Sequence, residues 1–392
     1  MAAISHMHFR PLVRLVRHFH RRNRSFFPPM AGTVPLVSIV LPGLMAAHWG
    51  CLPGAFGQEV ITPQVSATPT IHFPAKAGEF CQVERSDSAG PWIPVGMPVK
   101  GTGDPVTILD PSPSAPSDAV KAEYRIRLLR DQWVQVWADE FDGVRLDPAK
   151  WSKEENGYGG GNNERQYYST DPKFCQVSNG TLKISLHREP HTTSDGKTQP
   201  YSSARIRTLE RGDWQYGRIE VRAKVPGGEG IWPAVWMLSS ENRYGGWASS
   251  GEIDILESRG NRVGETLGTL HFGGPWPNNR HKGETYLFPG KNAAEDFHTY
   301  AVIWKEDEIQ WEIDGKVWQT QRKESWDSAK APDNPRAPFD QPFHLIINLA
   351  ADGGFFAGTG QDSSHLPDSA FPQVLEIDHV RVSQWAGPGS IP

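Results

Sequence analysis

Three carboxylates lie close together in the segment 251–257, which reads GEIDILE. Asp and Glu are poor strand formers, so three of them in one strand-like segment indicate a chemical role. In a regular strand Glu252 and Asp254 project to one face and Glu257 projects to the other. One extra residue, at Ile255 or Leu256, would form a β-bulge and return Glu257 to the face of the other two acids. We therefore expect a row of three acids on a concave surface.

Such a row resists full ionisation, because neighbouring carboxylates repel each other and share protons as a coupled set. Retaining glycoside hydrolysis uses this arrangement, with one carboxylate as nucleophile and a carboxylic acid that protonates the leaving oxygen, about 5–5.5 Å apart. The outer pair, Glu252 and Glu257, can converge over one sugar, while Asp254 between them holds a proton and orients the nucleophile. The alternatives are a solvated acidic strand and a calcium site.

The elements around the acids are short strands. From residue 131 to about 384, segments of alternating polarity such as TLKISLHR, GRIEVRAKV and FHLIINLA are separated by Gly, Pro, Asn and Asp. This spacing predicts a large antiparallel β-sandwich. The Asp314-Gly315 pair between two alternating runs predicts a tight hairpin. The 39 Gly and 33 Pro interrupt every helical periodicity and exclude a helical bundle or coiled coil.

The chain divides into four segments. Residues 1–57 carry six arginines and no acid before a short apolar run, which is the pattern of a secretory signal peptide; an uncleaved anchor and a lipid anchor at Cys51 are the alternatives. In residues 58–130, short strand-like runs alternate with turns, which predicts a small β module with Pro-rich loops that serves as a spacer or a docking unit. We expect residues 131–387 to form the domain that carries the three acids and their chemistry, and residues 388–392 to be a C-terminal tail.

The net charge of the chain restricts which macromolecules it can bind. The whole chain has a net charge of −5, and without the first 57 residues 34 basic residues face 45 acidic ones, a net charge of −11. Such an acidic body does not attract nucleic acid or an anionic membrane.

Cys81 and Cys175 fall in separate strand-like segments, which favours two buried thiols over a disulfide.

GEIDILE resembles the signature of glycoside hydrolase family 16. Its E-x-D-x-x-E form is similar to the laminarinase-like branch, the endo-1,3-β-glucanases, whereas the lichenase-like branch lacks the inserted residue. The resemblance implies a jelly-roll, concanavalin A-like sandwich in which Glu252 is the nucleophile, Asp254 its assistant and Glu257 the acid/base. It extends over further segments: WADEFDG (137–143), GGGNNERQYYS (159–169), YGRIEVRAKVPGGEGIWPAVWML (216–238), GWASSGEIDILE (246–257), LHFGG (270–274) and FHLIINLAADGG (343–354).

Several residues near the acids are candidate sugar ligands. Trp232 and Trp236 are four residues apart, so on a strand both indoles share one face, and the resemblance implies that they line the sugar sites. Core aromatic side chains are the alternative. The remaining candidates are Trp247 and Trp276 in flanking loops, the family-implied Asn163 and His271, and Arg207. For these three polar residues the alternatives are an Asn in a left-handed turn, a structural His and a surface ion pair.

The resemblance also implies a structural calcium ion, held by Glu140, the carbonyl of Gly180 and Asp378, with no part in the reaction. No cofactor is expected for catalysis. We expect a bacterial, secreted or periplasmic/cell-surface, monomeric hydrolase that acts on a β-glucan such as laminarin and does not bind a membrane after signal cleavage.

Other activities stay open at this point. Phe355 and Phe356 stand where laminarinase-like sequences usually have Trp, and the loop GGPWPNNRHKGE is basic. The alternatives are therefore a mixed-linkage glucan, a β-galactan or an anionic β-glycan as substrate, transglycosylation, or glucan binding without turnover.

Overall fold

The computed structural model describes residues 68–87, 90–112, 122–290, 293 and 296–387. Three predicted segments lie outside this range. They are the signal peptide expected at 1–57, residues 113–121 of the Pro-rich loop of the small module, and the tail at 388–392. Within it, no helix has the length and apolar character needed to cross a membrane.

The described chain is built from strands and a few single-turn 3₁₀ helices. The strands of the leading module are β1 (Thr70–Pro74), β2 (Phe80–Asp87), β3 (Ile93–Pro94), β4 (Val99–Lys100), β5 (Pro105–Leu109) and β6 (Ala122–Leu129). The strands that follow, up to the acids, are β7 (Gln132–Asp139), β8 (Ser152–Lys153), β9 (Gln166–Tyr168), β10 (Cys175–Ser178), β11 (Thr181–Leu186), β12 (His191–Thr192), β13 (Thr198–Gln199), β14 (Tyr201–Ser203), β15 (Arg205–Arg207), β16 (Asp213–Trp214), β17 (Gly217–Lys224), β18 (Ile231–Ser239) and β19 (Glu252–Glu257).

The last strands are β20 (Glu265–Gly273), β21 (Asn279–Leu287), β22 (His298–Trp304), β23 (Glu308–Ile313), β24 (Lys316–Arg322), β25 (Phe343–Ala351) and β26 (Gln373–Ala386). The 3₁₀ helices are Pro172–Phe174, Lys323–Ser325, Gly354–Phe356, Ser363–His365 and Asp368–Ala370.

Two eight-stranded antiparallel sheets form the sandwich. The first sheet has the order β10-β11-β26-β17-β22-β23-β24, with β7 also paired to β26. The second, here called the cleft sheet, has the order β21-β20-β19-β18-β25-β15-β8, with β16 also paired to β25. The predicted all-β, jelly-roll-type sandwich is therefore confirmed.

Alternation of side chains explains how the two sheets pack. In β17 the residues Ile219, Val221 and Ala223 are fully buried, while the residues between them are half-buried. Their counterparts on the cleft sheet, such as Val235 and Ile347, are also fully buried and belong to the same core cluster. The predicted hairpin is present, because Asp314 and Gly315 adopt φ values of +49° and +74° between β23 and β24.

The leading module packs onto the sandwich through a small apolar cluster. Phe80 and Leu129 of the module contact Val134 of β7 and Ala386 of β26. Module and sandwich belong to one compact unit. Cys81 and Cys175 are both buried free thiols, as the sequence predicts.

Candidate active site

The bulge predicted in the acidic strand is present in β19. Against β18, Val235 pairs with Leu256 and Trp236 pairs with Asp254, so Ile255 is the extra residue. Against β20, the register shifts between Asp254 and Glu257. The shift returns Glu257 to the outer face of the cleft sheet, because it offsets one step of the strand's alternation.

All three acids line one open cleft of about 660 Å³ on that face. The apolar residues of the same strand, Ile253, Ile255 and Leu256, are buried in the core. The side chain of Glu252 is 13% exposed and that of Asp254 is 4% exposed. The row of acids expected from the sequence therefore exists, and it is largely withdrawn from solvent.

An indole N–H donates to each of the two glutamates. Trp247 Nε1 donates to Glu252 Oε2 at 2.8 Å, and Trp232 Nε1 donates to Glu257 Oε1 at 3.1 Å. Hydrogen bonds to an ionised carboxylate are stronger than those between neutral groups. The two tryptophans therefore orient the glutamates besides forming part of the cleft wall.

His271 of β20 lies beside one carboxylate oxygen of Glu252 and one of Asp254. Its Nε2 is 3.5 Å from Glu252 Oε1 and 3.3 Å from Asp254 Oδ2. Burial lowers the pKa of His271, but the charges of Glu252 and Asp254 outweigh this effect and raise the pKa to about 10. An imidazolium therefore stands beside Glu252 and Asp254 at neutral pH, and its charge acts to lower the pKa of Glu252.

Burial dominates the titration of the two glutamates. It raises the pKa of Glu252 and of Glu257 well above the usual range, and the negative charge of Asp254 raises both further. The pair therefore retains a proton near neutral pH. Because the cation of His271 contacts Glu252, the proton is better placed on Glu257.

One cluster of three potential metal ligands occurs among the described residues, formed by Glu252, Asp254 and His271 within 4.8 Å of one another. A metal ion binds neutral imidazole. Protonated His271 does not meet this requirement, so the cluster fits an ion-paired site better than a metal site.

The tryptophans expected to line the cleft differ in how much ring surface they offer. Trp232 is only 9% exposed, and Phe355 stacks on its ring at 4.4 Å between centroids. Trp236 has the guanidinium of Arg205 over its ring at 4.6 Å. Trp247 and Trp276, by contrast, are 40% and 75% exposed. The two loop tryptophans therefore present the larger surfaces on which a sugar ring can stack.

Two other predicted ligands lie beside the cleft. Asn163 is exposed and adopts a left-handed φ of +59°, which matches the alternative of an Asn in a turn, and its neighbour Asn162 lines the cleft instead. Arg207 contacts Glu154 at 3.2 Å and lines an adjacent pocket. Of the polar candidates, His271 is the one that lines the cleft itself.

Sequence reasoning missed several residues that line the cleft. Asn348 accepts a hydrogen bond from Trp236 Nε1 at 2.8 Å, and as a polar residue in the apolar strand FHLIINLA it carried a usable signal. Arg205 could have been found by the reasoning that selected Arg207, because both are arginines of β15 and two residues apart, on one face of the strand. Further missed residues come from distant loops and strands without a local pattern, and they include Tyr158, Glu164, Arg259, Asn279 and His281.

The residues expected to hold calcium already have cationic partners. Arg381 donates through Nε and Nη2 to the two carboxylate oxygens of Glu140, at 2.8 and 2.7 Å. Asp378 contacts Arg222 at 3.2 Å and His379 at 2.9 Å. A cation site needs free oxygen ligands. Glu140 and Asp378 therefore do not fit a calcium ion as they stand, since Arg381 would have to leave Glu140 first.

Two carboxylic acids that share an open cleft of a β-sandwich are the arrangement that retaining glycoside hydrolysis requires. The sequence profile described as "Glycosyl hydrolases family 16" matches residues 162–354. The beta-glucanase of Rhodothermus marinus is 38% identical, with 64% of this chain and 86% of that protein aligned. The chain belongs to this family.

Two further proteins support the assignment. Glucan endo-1,3-beta-glucosidase A1 of Niallia circulans is 42% identical over 63% of this chain, and the alignment spans only 37% of that longer protein. The solved catalytic domain of an endo-1,3-beta-glucanase (laminarinase) from Thermotoga petrophila superposes with a TM-score of 0.57 at 34% identity, covering 65% of this chain and 98% of that domain.

Proposed function

We propose that this hydrolase is a retaining endo-β-1,3-glucanase that cleaves laminarin-type glucan by double displacement. The observation that carries the proposal is the bulge at Ile255, which brings Glu252 and Glu257 into one cleft with Asp254 between them. The relatives named as endo-1,3-beta-glucanases support the choice of substrate.

In the first displacement, Glu257 is the acid and Glu252 the nucleophile. Glu257 protonates the glycosidic oxygen while Glu252 attacks the anomeric carbon, so the sugar–oxygen bond breaks as a glycosyl–enzyme ester forms. The raised pKa of Glu257 keeps this proton available near neutral pH. The His271 cation, 3.5 Å from Glu252, stabilises the anionic nucleophile.

In the second displacement, Glu257 acts as base. It accepts a proton from a water molecule, whose oxygen attacks the anomeric carbon and releases Glu252. Asp254, with Oδ2 3.3 Å from His271 Nε2, holds that imidazolium in place. Two inversions at the same carbon give a product with the β configuration.

The form of the cleft supports internal cleavage of a chain. It crosses the cleft sheet from Arg205 on β15 to His281 on β21, and both ends are lined by side chains that can bind sugars. The exposed rings of Trp247 and Trp276 lie along it. A polysaccharide can therefore pass through the site, whereas an exo-acting enzyme needs a blocked end.

Location and assembly belong to the same proposal. The basic, then apolar, N-terminal segment supports export, and the acidic remainder supports a neutral polysaccharide as partner. We propose a monomer. Sequencing the N-terminus of the exported protein and measuring its mass in solution test these points.

Product analysis on pure polysaccharides tests the activity. Laminarin should release oligosaccharides of several lengths from the start of the reaction, with the new reducing ends first appearing as the β anomer. Lichenan, agarose and carrageenan serve as comparison substrates. Faster cleavage of any of these would overturn the assignment to β-1,3-glucan, and binding without release of reducing ends would indicate a glucan-binding protein.

A further inference from the structure

A second pocket opens beside the cleft on the same face of the cleft sheet. It has a volume of about 280 Å³. Tyr158, Arg205, Leu238 and Trp247 line both spaces, so they form the boundary between the pocket and the cleft. We call this space the side pocket.

The strand register shows that the side pocket is lateral to the cleft. The cleft is lined by the paired residues Arg205 of β15 and Asn348 of β25, and by Trp236. The side pocket is also lined by the next such pair, Arg207 and Ile346, which is displaced by two residues along the same two antiparallel strands. Two residues along a strand correspond to about 6–7 Å. The cleft crosses the strands, so a displacement along them leads sideways from a bound chain.

The side pocket begins on the Glu252 side of the acid row. Leu238, which pairs with Glu252 across the β18–β19 register, borders both spaces. Trp236, which pairs with Asp254, lines the cleft alone. A sugar unit bound in the cleft against Trp247 would therefore have the side pocket next to it.

The lining of the side pocket has the chemistry of a sugar site. Trp247 supplies an aromatic wall. Ser240, Asn242 and His344 supply uncharged polar groups; Ser240 Oγ lies 3.3 Å from His344 Nδ1. Burial and the charges of Arg207 and Arg205 lower the pKa of His344 to about 4, so its imidazole is neutral at neutral pH.

The charges in the side pocket favour a neutral occupant. Arg205 and Arg207 are the cations of its lining, and both contact Glu154, at 3.4 and 3.2 Å. Glu154 offsets part of their charge and would repel a sulfate or carboxylate. Sugar hydroxyls can both accept from the guanidinium groups and donate to the carboxylate.

We propose that the side pocket binds a single-glucosyl branch of the glucan while the backbone lies in the cleft. The inference rests on the proposed β-1,3-glucanase activity and specifies its substrate as a branched glucan. It also explains why a polar, aromatic cavity lies beside the backbone path and outside it.

Ser240→Trp tests the proposal, because an indole at this position fills the side pocket. Two substrates are compared: linear laminarihexaose and scleroglucan, whose β-1,3 backbone carries single β-1,6-linked glucosyl branches. We expect kcat/KM on scleroglucan to fall about tenfold, which corresponds to ~1.4 kcal/mol. On laminarihexaose we expect it to stay within about twofold of the wild type.

Ser364→Trp, at an exposed serine outside both spaces, is the matched control and should change neither value. His344→Leu is a second variant that removes the polar ring nitrogens without filling the pocket, and a selective loss on scleroglucan is expected again. Equal losses on both substrates, or no loss on either in a folded variant, would overturn the branch site. Failure of the wild type to cleave laminarihexaose would instead refute the proposed hydrolysis.

Discussion

Trp247 Nε1 donates a 2.8 Å hydrogen bond to Glu252 Oε2, and this indole is also one of the most exposed aromatic surfaces of the cleft. One side chain therefore orients the proposed nucleophile and offers a ring to the substrate. Trp232 holds Glu257 in the same way, at 3.1 Å, but its ring is buried under Phe355. The two indoles thus act on different glutamates, which makes them a matched pair for experiment.

Trp247→Phe should move the acidic limb of the pH profile of kcat/KM upward by about one pH unit. The indole N–H lowers the pKa of Glu252, so its loss raises that pKa, and Glu252 must be ionised to attack. Trp232→Phe should instead move the alkaline limb upward, because Trp232 lowers the pKa of the acid Glu257. If both variants shifted the same limb, the assigned roles would be wrong.

Glu252→Gln should reduce kcat by roughly a thousandfold or more, since an amide cannot form the glycosyl–enzyme ester. Glucan binding should persist, because Gln has nearly the same shape and the Trp247 donor can still reach its carbonyl oxygen. Calorimetric titration with laminarihexaose measures binding, and reducing-end release measures turnover. Undiminished hydrolysis would remove Glu252 from the role of nucleophile.

Glu257→Ala should regain activity with azide on an aryl β-laminaribioside, whose leaving group needs little protonation. The small anion can enter the space left by the carboxylate and attack the glycosyl–enzyme ester without base assistance. The expected product is a β-glycosyl azide, identified by the proton NMR coupling of its anomeric hydrogen. An α-azide would contradict retention.

His271→Gln should lower the free energy of unfolding more at pH 6 than at pH 10. The folded-state pKa of His271, about 10, lies above its ordinary value of 6.5. Its stabilising contribution is therefore fully present below about pH 6.5 and is lost as the pH rises through about 10. Urea unfolding at the two pH values measures the difference. An equal loss at both would show that the charge of His271 contributes little to the fold.

Arg381→Gln should make the thermal stability respond to calcium. In the wild type Arg381 engages both oxygens of Glu140, so Tm should agree within about 1 °C in calcium and in chelator. Removing the guanidinium frees the carboxylate next to Asp378, and calcium should then raise Tm. Arg322→Gln, at an exposed arginine of β24, is the control. A large calcium effect in the wild type would show that the ion displaces Arg381.

The acids, the bulge and the fold class could be predicted from sequence because their signals are local. A strand alternates with period two, so one extra residue, expected at Ile255 or Leu256, is needed for Glu257 to share a face with Glu252 and Asp254, and the structure places it at Ile255. The alternating segments and turn residues likewise indicated an antiparallel sandwich without reference to any contact. The fold class could therefore be predicted before the pairing of any strands was known.

Other features depend on segments that are far apart in the chain. Trp232 was expected to stack on sugar, but Phe355, more than a hundred residues away, covers its ring and leaves the N–H directed at Glu257. Arg207 was expected in the cleft, but its neighbours from β25 and the contact with Glu154 place it in the side pocket.

The sequence by itself determined which residues could do the chemistry and the kind of sheet that carries them, because period and residue type act over a few positions. The tertiary structure decided which partners those residues have. The charge of His271, the indole donors and the position of the side pocket all arise where strands distant in sequence become neighbours. The pairing of distant strands, which sets those pKa values and hydrogen bonds, leaves no periodic trace in the chain.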